Sequence, residues 1–280
     1  VKVIGKGRDG QAFEVLSKLA KKKYAVERIE LRDGSVEPNE DKLREVRALA
    51  HFDHPHVVRY SGSWIEQPPS IWQVKLLIIQ SAISLALYAV QGERSRLLQI
   101  SIRYPEGCTF LYIQMELCTS TLEEWLKANQ KPRNTRRMKA WMKQLLEAVA
   151  YIHGKNFFHR DLKPSNILFD GEDELKICDL GIAAAFETRD DGKEATNTRT
   201  MGKGTSLYMS PEQLYKSEVD VFTLGLIFAE ISVPMKDANR TKRIQIFDNY
   251  RNGKPDEILK DDAATTKILY TVLHEDSKNR

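Results

Sequence analysis

Over the first 65 positions apolar residues fall into short β-like runs, Val1–Ile4, Tyr24–Leu31 and Val57–Trp64. Between the second and third lies Asp41 to Phe52, where Leu43, Val46, Leu49 and Ala50 repeat at helical spacing behind a Pro38-Asn39 break. Gln67 to Gly107 does not fit this rhythm. It holds a Pro68-Pro69 break, an uncharged apolar stretch from Leu76 to Val90, Arg94 and Arg96, and a Pro105-Glu106-Gly107 turn. This reads as an insertion between two strands, the second of them Thr109–Leu117. From Ser120 the period becomes helical, with Leu122, Trp125 and Leu126 followed by Trp141, Leu145, Leu146, Val149 and Ile152. The pattern predicts an α+β fold in two lobes. Residues 1–118 form a β-rich N-terminal lobe with an insertion at about 67–107, and residues 119–280 form a helical C-terminal lobe.

Composition narrows the class. Two hundred and eighty residues with 41% hydrophobic and 29% charged side chains suffice for a sizeable core and are not a disordered composition. A net charge of +4 is too slight to imply direct nucleic-acid binding. Cys108, Cys118 and Cys178 form no CxxC pair and are odd in number, which fits a reducing compartment better than a zinc site or a disulfide scaffold. Leu76 to Val90 is shorter than the roughly 20 residues that span a bilayer. The chain opens at Val1 without an initiator Met and stops at Asn279-Arg280, so it reads as a piece of a longer protein, truncated before its last helices.

Gly5-Lys6-Gly7-Arg8-Asp9-Gly10 is a GxGxxG, whose glycines let backbone N–H groups approach phosphate oxygens. The segment alone leaves three readings open. In a dinucleotide-binding unit Gln11–Lys23 would be the following helix and Glu27 the ribose-binding acid. In a phosphotransferase the same glycines would cover ATP phosphates within a hairpin. A plain glycine turn is the third.

Downstream, His159-Arg160-Asp161-Leu162-Lys163-Pro164-Ser165-Asn166 precedes Asp179-Leu180-Gly181. Phosphoryl transfer to a hydroxyl needs a carboxylate to orient it and take its proton, a cation near the γ-phosphate and two oxygen ligands for Mg²⁺. Asp161, Lys163, Asn166 and Asp179 supply one of each in that order. From Gly5 to Arg280 the chain resembles a eukaryotic protein kinase domain, with Asp179-Leu180-Gly181 and Ser210-Pro211-Glu212 as mild departures from that family's Asp-Phe-Gly and Ala-Pro-Glu. Asp220 and Gly225 resemble the start of its buried anchoring helix, and Arg280 stands where the family pairs an arginine with Glu212.

Gly204 to Gln213, the Ser165-Asn166 ending, Trp64 to Pro69 and Leu111 to Cys118 resemble the stress-activated kinases of the translation initiation factor two alpha subunit, in particular their endoplasmic-reticulum-resident branch. The resemblance implies ATP and Mg²⁺ as cofactors, a serine of that alpha subunit as substrate and homodimerisation through the N-terminal lobe. It implies a cytosolic domain that meets a membrane only through other parts of its protein. It places Ile4, Gly5, Lys6, Gly7, Gly10, Ala12 and Ala25 around the nucleotide, Met115 at the gatekeeper position and Glu116 to Cys118 at the hinge that bonds the adenine edge. Thr205, and Thr200 through its charge if phosphorylated, are the expected phosphorylation sites, the latter recruiting Arg160.

One departure is serious. Tyr24-Ala25-Val26-Glu27-Arg28-Ile29 aligns with the family's Val-Ala-Ile-Lys, so Glu27 replaces the lysine that holds the α- and β-phosphates, and its helix partner would be Glu45. Two like charges at about 4 Å cost about 4 kcal/mol at an effective dielectric of 20. Arg28 is no substitute, since alternation turns it to the opposite face. The sequence therefore predicts an impaired enzyme, with an inactive nucleotide-binding scaffold acting through dimerisation as the alternative.

Overall fold

The computed structural model describes residues 1–6, 10–31, 38, 40–67, 109–129, 134–179, 184–185, 208, 217–232, 245–249 and 273. Gly7, the apolar stretch Leu76 to Val90, Thr200, Thr205, Glu212 and Arg280 lie outside the described residues, and so do the side chains of Arg44 and Glu45. The chain divides into two compact units, residues 1–43 with 61–115 and residues 44–60 with 116–280.

The first unit is built on a five-stranded sheet of order β1-β2-β3-β5-β4, from β1 (Lys2–Lys6), β2 (Gly10–Leu16), β3 (Lys23–Leu31), β4 (Tyr60–Glu66) and β5 (Thr109–Glu116). β1, β2 and β3 form an antiparallel meander. This removes the dinucleotide-binding reading. Gln11 to Glu14 pair with strands on both sides and Val15 and Leu16 with β3, so no helix opens after the glycines and Glu27 is not the ribose acid of a βαβ unit. Val26, Ile29, Leu31, Phe110, Leu111 and Ile113 are buried and supply the apolar contact that holds the sheet. Trp64 stacks on Tyr112 with ring centroids 5.2 Å apart. β4 starts three residues later than the hydrophobic run implies, because Val57 bridges to Ile177 and Val58 donates its N–H to the Ile177 carbonyl at 2.9 Å.

Helix α1 (Glu40–His51) buries Ala48 and Leu49 near its C-terminal end, and Phe52 is buried just beyond it. The second unit is mainly helical. α2 (Leu122–Ala128) starts with a capping box, in which the Thr121 hydroxyl accepts the Glu124 N–H and the Glu124 carboxylate accepts the Thr121 N–H. α3 (Thr135–Gly154) is capped by Asn134 and buries Met138, Trp141, Met142, Leu145, Ala148, Val149 and Ile152, an i, i+3, i+4, i+7 stripe. Trp141 packs edge-on against Trp125 and Phe169, and its indole N–H donates to the Asp173 carbonyl at 3.1 Å. α4 (Ser217–Ser232) is apolar on nearly every side, and Phe222, Leu224, Leu226, Ile227, Phe228 and Ile231 are fully buried. A helix hydrophobic all round belongs inside the core, where each such side chain contributes about 2 kcal/mol of apolar burial.

Short strands frame the loop between α3 and α4: β6 (Ser120–Thr121), β8 (Ile167–Phe169) and β9 (Leu175–Ile177) form one sheet, and β7 (Phe157–Phe158) pairs with β10 (Ala184–Ala185). No helix among the described residues is long and apolar enough to cross a membrane.

Candidate active site

In the first unit the strand register decides which side chains share a face. Gly5 lies opposite Ala12, Ala12 opposite Glu27 and Glu14 opposite Ala25, so Ala12, Ala25 and Glu27 project from one side of the sheet. Arg28 projects from the other. Its guanidinium lies 5.2 Å from the Phe13 ring and 4.9 Å from the Phe110 ring and donates to Gln11 Oε1 at 2.9 Å. Gly10 sits where a Cβ would come 2.5 Å from the Arg28 carbonyl oxygen, so the strand crossing there demands a glycine. Ile4 and Lys6 are exposed on β1, and Met115 is half-buried near the end of β5.

In the second unit the candidate catalytic residues meet. Lys163 Nζ lies 2.5 Å from Asp161 Oδ2. Asn166, held by the 3-10 turn Pro164–Asn166, donates from Nδ2 to the Asp161 carbonyl at 2.9 Å. With its amide N–H₂ committed there, the Asn166 amide oxygen is left as an acceptor. The Cys178 N–H donates to the Asn166 carbonyl at 2.9 Å, which fixes Asp179, one residue on, beside the same loop. Asp179 has φ 60° and an exposed side chain.

Beneath the loop, His159 accepts the Asp161 N–H at Nδ1 (3.3 Å) and donates from Nε2 to the Cys178 carbonyl (2.9 Å). One neutral tautomer satisfies both. Asp220, at the start of α4 and 1% exposed, accepts from the amides of His159 and Arg160 at 2.9 Å each and from His153 Nε2 at 2.8 Å. Burial pushes the Asp220 carboxyl up, but the His153 hydrogen bond, the neighbouring His159 and the two amides together outweigh it, so its pKa lies below the ordinary value.

The hinge candidates are held separately. The Glu116 N–H donates to the Arg59 carbonyl at 3.0 Å, and Glu116 Oε1 accepts the Arg59 N–H at 2.7 Å. The Cys118 thiol is pushed up to about 12, first by burial and then by the Glu116 charge. Among the described residues no group of three His, Cys, Asp or Glu converges as a metal cage. One carboxylate and one amide oxygen suit Mg²⁺, which keeps waters and takes phosphate oxygens as its remaining ligands.

The sequence matches the protein kinase domain over residues 1–280. The chain belongs to the protein kinase family. Similar proteins include the interferon-induced, double-stranded RNA-activated protein kinase of Mus musculus, 32% identical over all of this chain and 48% of the relative. The eukaryotic translation initiation factor 2-alpha kinase pek-1 of Caenorhabditis elegans is 39% identical over 54% of this chain and 16% of its own length. The eIF-2-alpha kinase GCN2 of Arabidopsis thaliana is 30% identical over 85% and 20%. The kinase domain thus spans about half the length, or less, of these curated relatives. Reading the sequence alone gives no role to His153 or Lys176. A histidine on an amphipathic helix and a lysine between two strand residues carry no local signal; their partners lie 67 and 121 residues away.

Proposed function

We propose that this kinase domain transfers the γ-phosphoryl group of ATP to a serine hydroxyl of the translation initiation factor two alpha subunit under stress, and that Glu27 impairs the chain as written. The observation that carries the chemistry is the convergence of Asp161, Lys163 and Asn166 on one loop. The names of the relatives support the substrate.

Asp161 orients the serine hydroxyl and accepts its proton as the serine oxygen bonds to the γ-phosphorus. The bond from that phosphorus to the β,γ-bridging oxygen breaks, and the electron pair leaves with ADP. Lys163 offsets the charge on the transferring group. Asn166 and Asp179 would hold Mg²⁺, which when bound neutralises phosphate charge. The family resemblance assigns Ala12 and Ala25 to the adenine and the Glu116 to Cys118 backbone to its edge. Glu27, on the same face as Ala12 and Ala25, sets a negative charge against the α- and β-phosphates.

That position also supports the second reading, a nucleotide-binding scaffold that signals by homodimerising through its first unit. The resemblance to the endoplasmic-reticulum branch further supports a cytosolic domain of a membrane-anchored protein. Labelled-ATP transfer to the alpha subunit separates the two readings when the chain, Glu27→Lys and Asp161→Asn are run side by side. Glu27→Lys should exceed the Asp161→Asn control by at least about a hundredfold. No difference between them would leave the scaffold reading.

A further inference from the structure

Lys176 is 9% exposed, and a buried ammonium persists only where charge and hydrogen-bond acceptors meet it. Its Nζ donates to the Pro55 carbonyl at 2.7 Å and lies 3.3 Å from Glu116 Oε1. That same oxygen accepts the Arg59 N–H at 2.7 Å. The residue after Lys176 is tied to the same loop, because the Ile177 N–H donates to the His56 carbonyl and the Val58 N–H to the Ile177 carbonyl, each at 2.9 Å. One more residue along, the Cys178 N–H bonds Asn166. Three segments of the second unit therefore meet at one amine: loop 53–59, Glu116, and the strand that leads to Asp179.

We infer that Lys176 is a positioning residue for the nucleotide base, fixing the Glu116 to Cys118 backbone against loop 53–59 and the Asp179 strand through the Glu116 carboxylate. The inference rests on the reading of Glu116 to Cys118 as the edge that bonds adenine. Without the amine, the Arg59 amide is the one partner left to Glu116 Oε1 among the described residues. Its side chain is one quarter exposed, so solvent competes for a carboxylate that Lys176 no longer holds. The backbone N–H and carbonyl groups that follow lose their fixed direction, and base affinity falls. Lys176 touches no reacting atom, so its effect belongs in nucleotide affinity and not in the transfer step.

The test uses adenosine, which has no phosphates and so does not respond to the charge at position 27. Adenosine binding by calorimetry, hydrogen exchange of the Glu116 and Cys118 amides without ligand, and the melting temperature are measured for the chain, Lys176→Met, Lys176→Arg and Glu116→Gln. Lys176→Met and Glu116→Gln should each weaken adenosine by at least about fivefold and speed exchange at both amides, while Lys176→Arg stays within about twofold. The Glu116→Gln arm decides the matter if Lys176→Met does not fold. Unchanged adenosine affinity in a folded Lys176→Met or Glu116→Gln, even with a lower melting temperature, would reduce Lys176 to a structural strut and overturn the inference. A parent chain that binds neither adenosine nor ATP would overturn the nucleotide-site reading itself, and this inference with it. The two failures differ in whether the parent binds.

Discussion

The carboxylate of Asp220 accepts the backbone N–H of Arg160 at 2.9 Å across a sequence separation of 60 residues, at a point where Arg160 has φ 64°. A non-glycine residue in that left-handed region costs about 1–2 kcal/mol and persists where the surroundings over-determine it. Asp220 does so by bonding the adjacent His159 amide as well, with His153 as its third partner. The residue before the candidate catalytic carboxylate is thus pinned by the first turn of a buried helix.

Asp220→Asn should therefore destabilise the domain by about 3 kcal/mol or more, because a side-chain amide cannot accept from two backbone amides and one histidine alike. The pH dependence has a definite sign. The folded carboxyl lies below its ordinary value, so its contribution is fully present above the unfolded pKa of about 3.9 and is lost as pH falls through the folded value. Urea titrations should show a constant difference between parent and variant from about pH 7 to pH 5 that shrinks below about pH 4.

Gly10→Ala should cost about 1–3 kcal/mol, since its Cβ would lie 2.5 Å from the Arg28 carbonyl and a backbone atom cannot turn aside. Gly5→Ala is the matched control. There the new Cβ meets Ala12 Cβ at 3.6 Å, an ordinary contact, and the change should stay within about 0.5 kcal/mol. Equal losses in the two variants would contradict the strand crossing described.

The Cys118 thiol should resist alkylation. A rise from 9.0 to about 12 lowers the thiolate fraction about a thousandfold at pH 8. Peptide-resolved mass spectrometry after iodoacetamide should find Cys118 unmodified in the native chain over a period that modifies it fully in urea. Rapid native labelling would mean that Cys118 is more open to solvent than this.

Asp179→Ala should abolish the Mg²⁺-dependent part of ATP affinity, at least about tenfold, and leave metal-free binding nearly unchanged. Calorimetry with and without Mg²⁺ reads the two directly. An equal loss in both would remove Asp179 as a metal ligand.

Much of the candidate catalytic loop was legible because its residues lie close together in the sequence. Asp161, Lys163 and Asn166 fall within six positions, and the Pro164 turn is enough to bring the amide of Asn166 back to Asp161. Helix α3 could be read from its apolar period, whereas α4 was expected only through the resemblance of Asp220 and Gly225 to the start of the family's buried anchoring helix. Gln11 to Leu16 was different. Its short mixed pattern fits a strand or the first turns of a helix, and only pairing with β1 and β3 chooses the strand.

What the sequence by itself determined is most of the longer elements and the types of group proposed to carry phosphate chemistry, because periodicity and turn residues act over a few positions. Tertiary structure decided which segments share polar partners. Val57 and Val58 turn from a predicted strand to Ile177, Lys176 finds Pro55 and Glu116, and Asp220 finds Arg160, across separations of 60 to 121 residues. The physical reason is desolvation. A buried carboxylate, ammonium or amide must find a partner wherever packing has placed one, and no local pattern in the chain records where that is.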